Sequence, residues 1–94
     1  MLAVENPPPV GFSYCSVEGP SGTGESCGPW NDSYVATSNR EFLSQWSQIF
    51  SNFSSNDVYI VGESYAGVYV PVIVQEILKN PIPNFNLKGV WRLN

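Results

Sequence analysis

Apolar residues recur at three- and four-residue steps in two segments of the chain, which predicts two amphipathic helices. The first follows Asp32 or Ser33, either of which can cap a helix by accepting from a free backbone amide. Its expected buried face contains Val35, Phe42, Leu43, Trp46, Ile49 and Phe50. The opposite face is mostly polar, with Ser38, Arg40, Glu41, Ser44, Ser47 and Gln48. The second helix is predicted over Val68 to Lys79, with Val70, Ile73, Val74, Ile77 and Leu78 on one face.

Short apolar runs before, between and after these helices predict strands. Val58 to Val61 shows no polar alternation, which is typical of a strand buried on both faces in a parallel sheet. Leu87 to Trp91 predicts the next strand, and extended segments are expected at Leu2 to Val4 and at Val10 to Cys15. The alternation of strands with helices predicts an α/β fold with a parallel sheet.

The predicted elements are too few for a complete domain of this kind. A parallel sheet needs helices on both faces, and two helices with three short strands do not supply them. We therefore expect residues 1–94 to be an internal fragment of a larger α/β domain, or the product of an incomplete gene model.

Composition excludes several classes of function. The net charge is −4 and the four basic residues are scattered, which argues against binding to nucleic acid or to anionic membranes. No segment approaches the roughly 20 apolar residues of a membrane span, and the first residues lack the pattern of a signal peptide. The chain contains no histidine, which excludes a self-contained Ser-His-Asp, Cys-His or His-metal site.

Three weak signals together favour an oxidising compartment. Cys15 and Cys27 flank a loop rich in glycine, serine and proline, and a disulfide between them would close that loop. Two reduced thiols are the alternative. Asn31-Asp32-Ser33 and Asn52-Phe53-Ser54 both match the acceptor pattern for N-glycosylation.

The segment Gly62-Glu63-Ser64-Tyr65-Ala66-Gly67 lies between a predicted strand and a predicted helix. In α/β hydrolases a nucleophilic serine occupies such a turn, with small residues two positions before and after it. Gly62 and Ala66 meet that requirement, although the pattern is not the strict G-x-S-x-G. The amide of the following residue and the helix N-terminus favour an oxyanion there. A tight turn in which Ser64 only caps the helix is the structural alternative.

These residues, followed by Tyr69-Val70-Pro71, resemble the nucleophile region of the serine carboxypeptidases. Glu5-Asn6-Pro7 and Val10-Gly11-Phe12-Ser13-Tyr14 are similar to the family's E-S-P-A-G-V-G-F-S-Y segment. Asn39, Glu41, Phe42 and Leu43, and later Asn86-Leu87-Lys88-Gly89, fall in the family's order and spacing. The resemblance covers the chain to about residue 90.

The resemblance implies a partial α/β-hydrolase fold and assigns roles to three residues. Ser64 would be the nucleophile that forms an acyl-enzyme with a peptide C-terminus, and the Tyr65 amide would be one oxyanion donor. Glu63 would help bind the substrate's terminal carboxylate. Because two carboxyl groups at hydrogen-bonding distance cannot both ionise, one must hold a proton. The resemblance thus implies action at acidic pH in a vacuole, lysosome or secreted fluid, without any cofactor or metal.

Departures from the family leave alternatives open. The triad His and Asp and the upstream oxyanion segment lie outside these residues, so the fragment by itself is expected to be inactive. Pro8-Pro9 replaces an Ala-Gly pair, and Trp91 to Asn94 departs from the family's continuation. A serine carboxypeptidase-like acyltransferase, which passes an acyl group from a sugar ester to an alcohol, has the same nucleophile. An inactive truncated product is the third reading.

Overall fold

The computed structural model describes residues 1–63 and 66–93, which form helix, strand, helix and strand in that order. Helix α1 spans Asp32–Ile49 and strand β1 spans Asp57–Glu63. Helix α2 spans Ala66–Lys79 and strand β2 spans Asn86–Leu93. The two helices and the last two strands expected from the sequence are therefore confirmed.

The two strands pair in parallel, which confirms the α/β class. Tyr59 lies opposite Gly89 and Val61 lies opposite Trp91, with Lys88 as an extra residue in β2. A Cβ added at Gly89 would lie 3.4 Å from Cδ1 of Tyr59, so the tyrosine ring packs directly over the glycine. The Tyr59 ring can lie this close to the backbone of β2 because Gly89 has no side chain.

Helix α2 is the central element, since it contacts α1 on one side and both strands on the other. Its buried residues Ile73 and Ile77 form a core with Ile82 from the following segment. Partly buried side chains pack around this core: Leu43, Ile60, Tyr69, Phe85 and Leu87. The predicted apolar face of α2 is confirmed except at Leu78, which is 72% exposed.

The buried face of α1 differs from the prediction. The structure buries Val35, Ala36, Asn39 and Ser44, whereas Phe42, Ile49 and Phe50 are exposed. The aromatic rings at the end of α1 pack on one another instead, with Trp46 centred 5.1 Å from Phe50 and 5.9 Å from Phe53. Asn39 is compatible with burial because its side-chain amide donates to the Val35 carbonyl at 2.8 Å.

The N-cap of α1 is Asn31, so the expectation of Asp32 or Ser33 is wrong. The Oδ1 atom of Asn31 accepts from the Tyr34 amide at 2.8 Å, which satisfies one of the free donors of the first turn. Helix α1 therefore begins at Asp32, whereas a cap at Asp32 would have placed its first residue at Ser33.

Strand β1 is covered on one face only. Along the strand, exposed and half-buried residues alternate, with Tyr59 at 63% and Val61 at 61% exposure. Val58 and Ile60, on the other face, are half-buried. The predicted burial of β1 on both faces is therefore wrong for the described residues. Both α1 and α2 lie on the face of the sheet that carries Ile60.

The predicted N-terminal extended segments are also wrong. Leu2 to Val4 forms no strand, and Val10 to Cys15 begins in turns. The Val10 amide donates to the Pro7 carbonyl at 3.1 Å. Gly11 has a φ of +56°, a left-handed conformation that does not continue a strand.

Glu5 organises this turn region. Its carboxylate accepts from the Phe12 amide at 2.6 Å, and the Ser13 hydroxyl donates to the Glu5 carbonyl. A Cβ at Gly11 would overlap the Glu5 carboxyl group, so the residue has both a steric and a conformational reason to be glycine.

The loop between the two cysteines folds around Gly24, whose φ is +84°. Its amide donates to the Glu18 carboxylate at 2.5 Å, and its carbonyl accepts from Nε1 of Trp30 at 2.6 Å. A Cβ here would overlap the Pro8 carbonyl, so the loop packs closely against the N-terminal turns. Cys15 and Cys27 form a disulfide with a Cα–Cα distance of 5.7 Å, the pairing that their spacing allowed.

Arg40 of α1 binds backbone carbonyls at the C-terminal end of α2. Its Nε and Nη2 atoms donate to the carbonyls of Asn80 and Pro81, both at 2.9 Å. These carbonyls lie just past the C-terminus of α2, where a cation is favourable. The nearby Glu41 carboxylate is 3.6 Å from Nη1 and is 59% exposed, so this ion pair contributes little.

Replacing Arg40 with alanine is expected to lower the free energy of unfolding of the complete protein by about 2 kcal/mol, since two hydrogen bonds from a charged group are lost. Urea denaturation measures the change. Glu41→Gln is the matched control and should change stability by less than about 0.5 kcal/mol. Equal effects of the two variants would contradict the assignment.

Replacing both Cys15 and Cys27 with alanine in the complete protein is expected to lower its free energy of unfolding by about 3 kcal/mol. The reason is that the unfolded chain regains the conformational freedom that the closed loop removes. Denaturation should be measured with and without reductant. Reductant is expected to lower the free energy of unfolding of the wild type by more than that of the variant. A variant as stable as the oxidised wild type would show that the disulfide does not support the fold.

Candidate active site

The predicted site residues lie where β1 meets α2. Strand β1 ends at Glu63 and helix α2 begins at Ala66. Ser64 and Tyr65, the predicted nucleophile and oxyanion donor, lie outside the described residues. Glu63 is exposed, and Gly62 is half-buried.

Both elements next to this junction are held by the core. Tyr69 and Ile73 pack in the central cluster, and Val70 is only 4% exposed. Ile60 of β1 packs against the same cluster. The first turns of α2 and the second half of β1 therefore share one set of apolar contacts, which fixes their relative position.

The N-terminus of α2 faces the same edge of the sheet as the carboxyl end of β1, since the helix follows the strand directly. Helix N-termini present unpaired amides and a partial positive charge, and both favour a developing negative charge. In open α/β sheets, ligands bind at the carboxyl ends of the strands. Glu63, the last residue of β1, thus lies at the edge of the sheet where ligands bind in this fold class.

Two cavities among the described residues lie at the other edge of the sheet. One, of about 250 Å³, is lined by residues of the second half of α1 and by Ile82, Pro83 and Asn84. Another includes Asn86, the first residue of β2. Both are close to the amino ends of the strands, and neither is lined by Glu63.

The described ranges hold no cluster of three or more His, Cys, Asp or Glu side chains that could bind a metal ion. In the same ranges, no helix is long and apolar enough to cross a membrane. The disulfide belongs to the loop before α1 and not to the junction.

Two structural residues were not found by sequence reasoning. Glu5 accepts a hydrogen bond from the Phe12 amide, and Arg40 donates hydrogen bonds to carbonyls about 40 residues further along the chain. Neither contact has a local sequence signal. The capping role of Asn31 has one, because asparagine directly before a helix is a preferred N-cap.

A model of the serine carboxypeptidase family matches residues 1–94. Among curated relatives, the probable serine carboxypeptidase CPVL of Dictyostelium discoideum is 38% identical over 96% of this chain. Serine carboxypeptidase 1 of Hordeum vulgare is 39% identical over 95% of the chain, and the lysosomal protective protein of Mus musculus is 32% identical over 96%. The chain spans 17% of the length of each of these three relatives.

The family resemblance noted in the motifs is therefore confirmed, since the family model matches the whole sequence and not only the motif segments. The chain belongs to the serine carboxypeptidase family.

Proposed function

We propose that these residues form part of a serine-type carboxypeptidase and that Ser64 is its nucleophile. The observation that supports this most directly is the position of the motif. In a chain of this family, Gly62 and Glu63 end a parallel strand, and Ala66 and Gly67 begin the helix that packs on it. That is the context in which a serine motif of this kind is catalytic.

In the proposed reaction, the Ser64 hydroxyl attacks the carbonyl carbon of the last peptide bond of a substrate. The serine proton passes to a base supplied by residues beyond these 94, since this sequence contains no histidine. The oxyanion accepts a hydrogen bond from the Tyr65 amide. The C-terminal amino acid leaves with the proton on its nitrogen, and water then hydrolyses the acyl-enzyme.

Glu63 is proposed to bind the terminal carboxylate of the substrate. Its exposed position at the end of β1 and its place directly before Ser64 support this role. A protonated carboxyl group can donate a hydrogen bond to a carboxylate, whereas an ionised one repels it. Substrates with a free C-terminus would therefore be preferred at acidic pH.

The parent domain is proposed to have the α/β-hydrolase fold. Tyr59, Val61 and Trp91 are each more than 60% exposed on the face of the sheet away from α2. Parallel sheets are covered on both faces, so this apolar face needs further helices. The relatives are several times longer than this chain, which leaves ample sequence for them.

The complete protein is proposed to act in the secretory pathway, in a lysosome or vacuole or after secretion. The Cys15–Cys27 disulfide supports an oxidising compartment. The name of the mouse relative, a lysosomal protective protein, points to the same pathway. Peptide and protein C-termini are the proposed substrates.

Substitution of Ser64 with alanine in the complete protein is expected to lower kcat/KM for C-terminal trimming by about 10⁴- to 10⁶-fold, since the covalent step is lost. A fluorophosphonate probe should label Ser64 in the wild type and leave the variant unlabelled. Ser55→Ala, which changes an exposed serine before β1, is the matched control and should keep full activity.

The same preparation distinguishes the proposal from its alternatives. A labelled Ser64 with turnover of sugar esters and an alcohol acceptor, but not of peptides, would indicate an acyltransferase. Retained peptide trimming by Ser64→Ala would contradict the assigned nucleophile. An unlabelled Ser64 in a native protein of only this length would indicate an inactive product.

Substitution of Glu63 with glutamine is expected to flatten the pH dependence of KM for peptides with a free C-terminus. The glutamine amide donates a hydrogen bond at any pH, whereas the carboxyl group donates only when protonated. One hydrogen bond to a charged group contributes about 1.5 kcal/mol, so the rise in KM from acidic to neutral pH should shrink roughly tenfold.

Peptides with an amidated C-terminus provide the control for Glu63, because they lack the carboxylate and should not respond to the substitution. Glu41→Gln removes an exposed carboxylate on α1 and should leave both substrates unaffected. An unchanged pH dependence of KM in Glu63→Gln, with reduced kcat, would assign Glu63 to another step.

A further inference from the structure

A groove lies near the amino ends of the strands. Two cavities of about 250 and 440 Å³ form it, and they adjoin because both are lined by Ser54, Ile82 and Asn84. One wall is the second half of α1 with the turn that follows it, and the other is the segment between α2 and β2. We propose that this groove, called the polar groove below, binds one unit of a neutral sugar.

The polar groups that line the groove are uncharged. Neither cavity is lined by an Asp, Glu, Lys or Arg side chain of the described residues. Hydroxyl and amide groups take their place, and several of these side chains form no hydrogen bond within residues 1–63 and 66–93: Gln48, Ser51, Ser54 and Asn84. Hydroxyl and carboxamide groups both donate and accept hydrogen bonds. A sugar hydroxyl does the same, so the polar groove offers it partners of both kinds.

Apolar side chains complete the walls of the polar groove. Ile82 and Pro83 line the smaller cavity, and Phe85 lines the larger one. A sugar ring carries C–H groups beside its hydroxyls, so it needs apolar contact together with hydrogen bonds. Pockets for drug-sized ligands measure about 300–1,000 Å³. The smaller cavity, at about 250 Å³, therefore suits a molecule of the size of one sugar ring.

The segment that forms the second wall is held at both ends. At its start, Arg40 donates to two backbone carbonyls, both at 2.9 Å. At its end, Nδ2 of Asn86 donates to Oδ1 of Asp57 at 2.7 Å. Between these contacts, Ile82 is only 5% exposed and belongs to the central core. The wall is therefore ordered before a ligand arrives, which lowers the entropic cost of binding.

The position of the polar groove separates this proposal from the catalytic one. Asn86, which lines the larger cavity, begins β2, whereas Glu63 ends β1 at the opposite edge of the sheet. A sugar in the groove would leave the proposed peptide site free. Two sources supply the same chemistry: a free monosaccharide, and the terminal unit of an oligosaccharide.

The test uses the complete protein and a panel of uncharged methyl glycosides, those of D-glucose, D-mannose and D-galactose. Saturation-transfer NMR detects contact between the ring protons and the protein, and titration calorimetry gives Kd. Oligosaccharides of the sugar that binds are then titrated in the same way. Tighter binding of the oligosaccharide identifies the chain end as the ligand, and equal binding identifies the single sugar. Both results support the proposal.

Two variants remove groups that line the groove without a change of backbone conformation. Gln48→Ala shortens an exposed side chain of α1 to that of a strong helix former. Asn84→Gly removes the amide at a residue with a φ of +57°, which glycine adopts freely. Each variant is expected to weaken binding about fivefold, since one hydrogen bond is lost.

Gln45→Ala is the matched control for Gln48→Ala. The Gln45 amide lies on the same helix, donates to the Glu41 carboxylate at 2.8 Å and lines neither cavity, so sugar binding should not change. Peptide trimming should be the same in all three variants and in the wild type, because none of these residues is near Glu63.

The expected result is binding of at least one glycoside that weakens in both groove variants and persists in Gln45→Ala. Binding should also persist after the fluorophosphonate has labelled Ser64. Failure of every glycoside to bind at millimolar concentration overturns the proposal, as does equal binding by the wild type and both groove variants. Loss of binding on labelling of Ser64 also overturns it, because the sugar would then occupy the catalytic site. Whether Ser64 reacts at all is read separately and reports on the catalytic proposal alone.

Discussion

Parallel pairing of β1 with β2 is the constraint on which the rest of this structure depends. Parallel neighbours must be joined by a crossover that returns the chain along the strands, and α2 is that crossover. Its 14 residues extend about 21 Å. The 7 residues of β1 extend about 23 Å. These lengths match, so α2 returns the chain over about the full length of β1. Only residues 64 and 65 separate strand and helix in the sequence, so the proposed nucleophile motif coincides with the start of the crossover.

The elements that could be predicted are those whose apolar pattern continues over many residues. Helix α2 and strand β1 belong to this class, and their existence and order were correct. The turns at Val10 to Cys15 could not be predicted from alternation. They depend on the left-handed conformation of Gly11 and on a carboxylate six residues before it in the chain. Burial on both faces of β1 was inferred from its composition, but coverage is decided by other elements.

The candidate site also has features that the sequence could predict and features that it could not. The motif around Ser64 is local, so its residue types and its place between strand and helix were available from the sequence. Spacing allowed a bond between Cys15 and Cys27 but left reduced thiols open, and only the folded distance between them decided the matter. The proposed reaction also needs a base, and these 94 residues contain no histidine. No packing among them could therefore supply its position.

The scarcity of charge bears on the conditions under which this part of the protein stays folded. Only 13% of the residues are charged, and two of the contacts that hold the ends of α1 and α2 do not involve a carboxylate. Asn31 caps α1 with a neutral amide, and the Arg40 guanidinium donates to carbonyls at the end of α2. Acid weakens proteins chiefly by protonating carboxylates that the fold has paired. Neither of these two end contacts uses a carboxylate, so both suit an enzyme proposed to act in an acidic compartment.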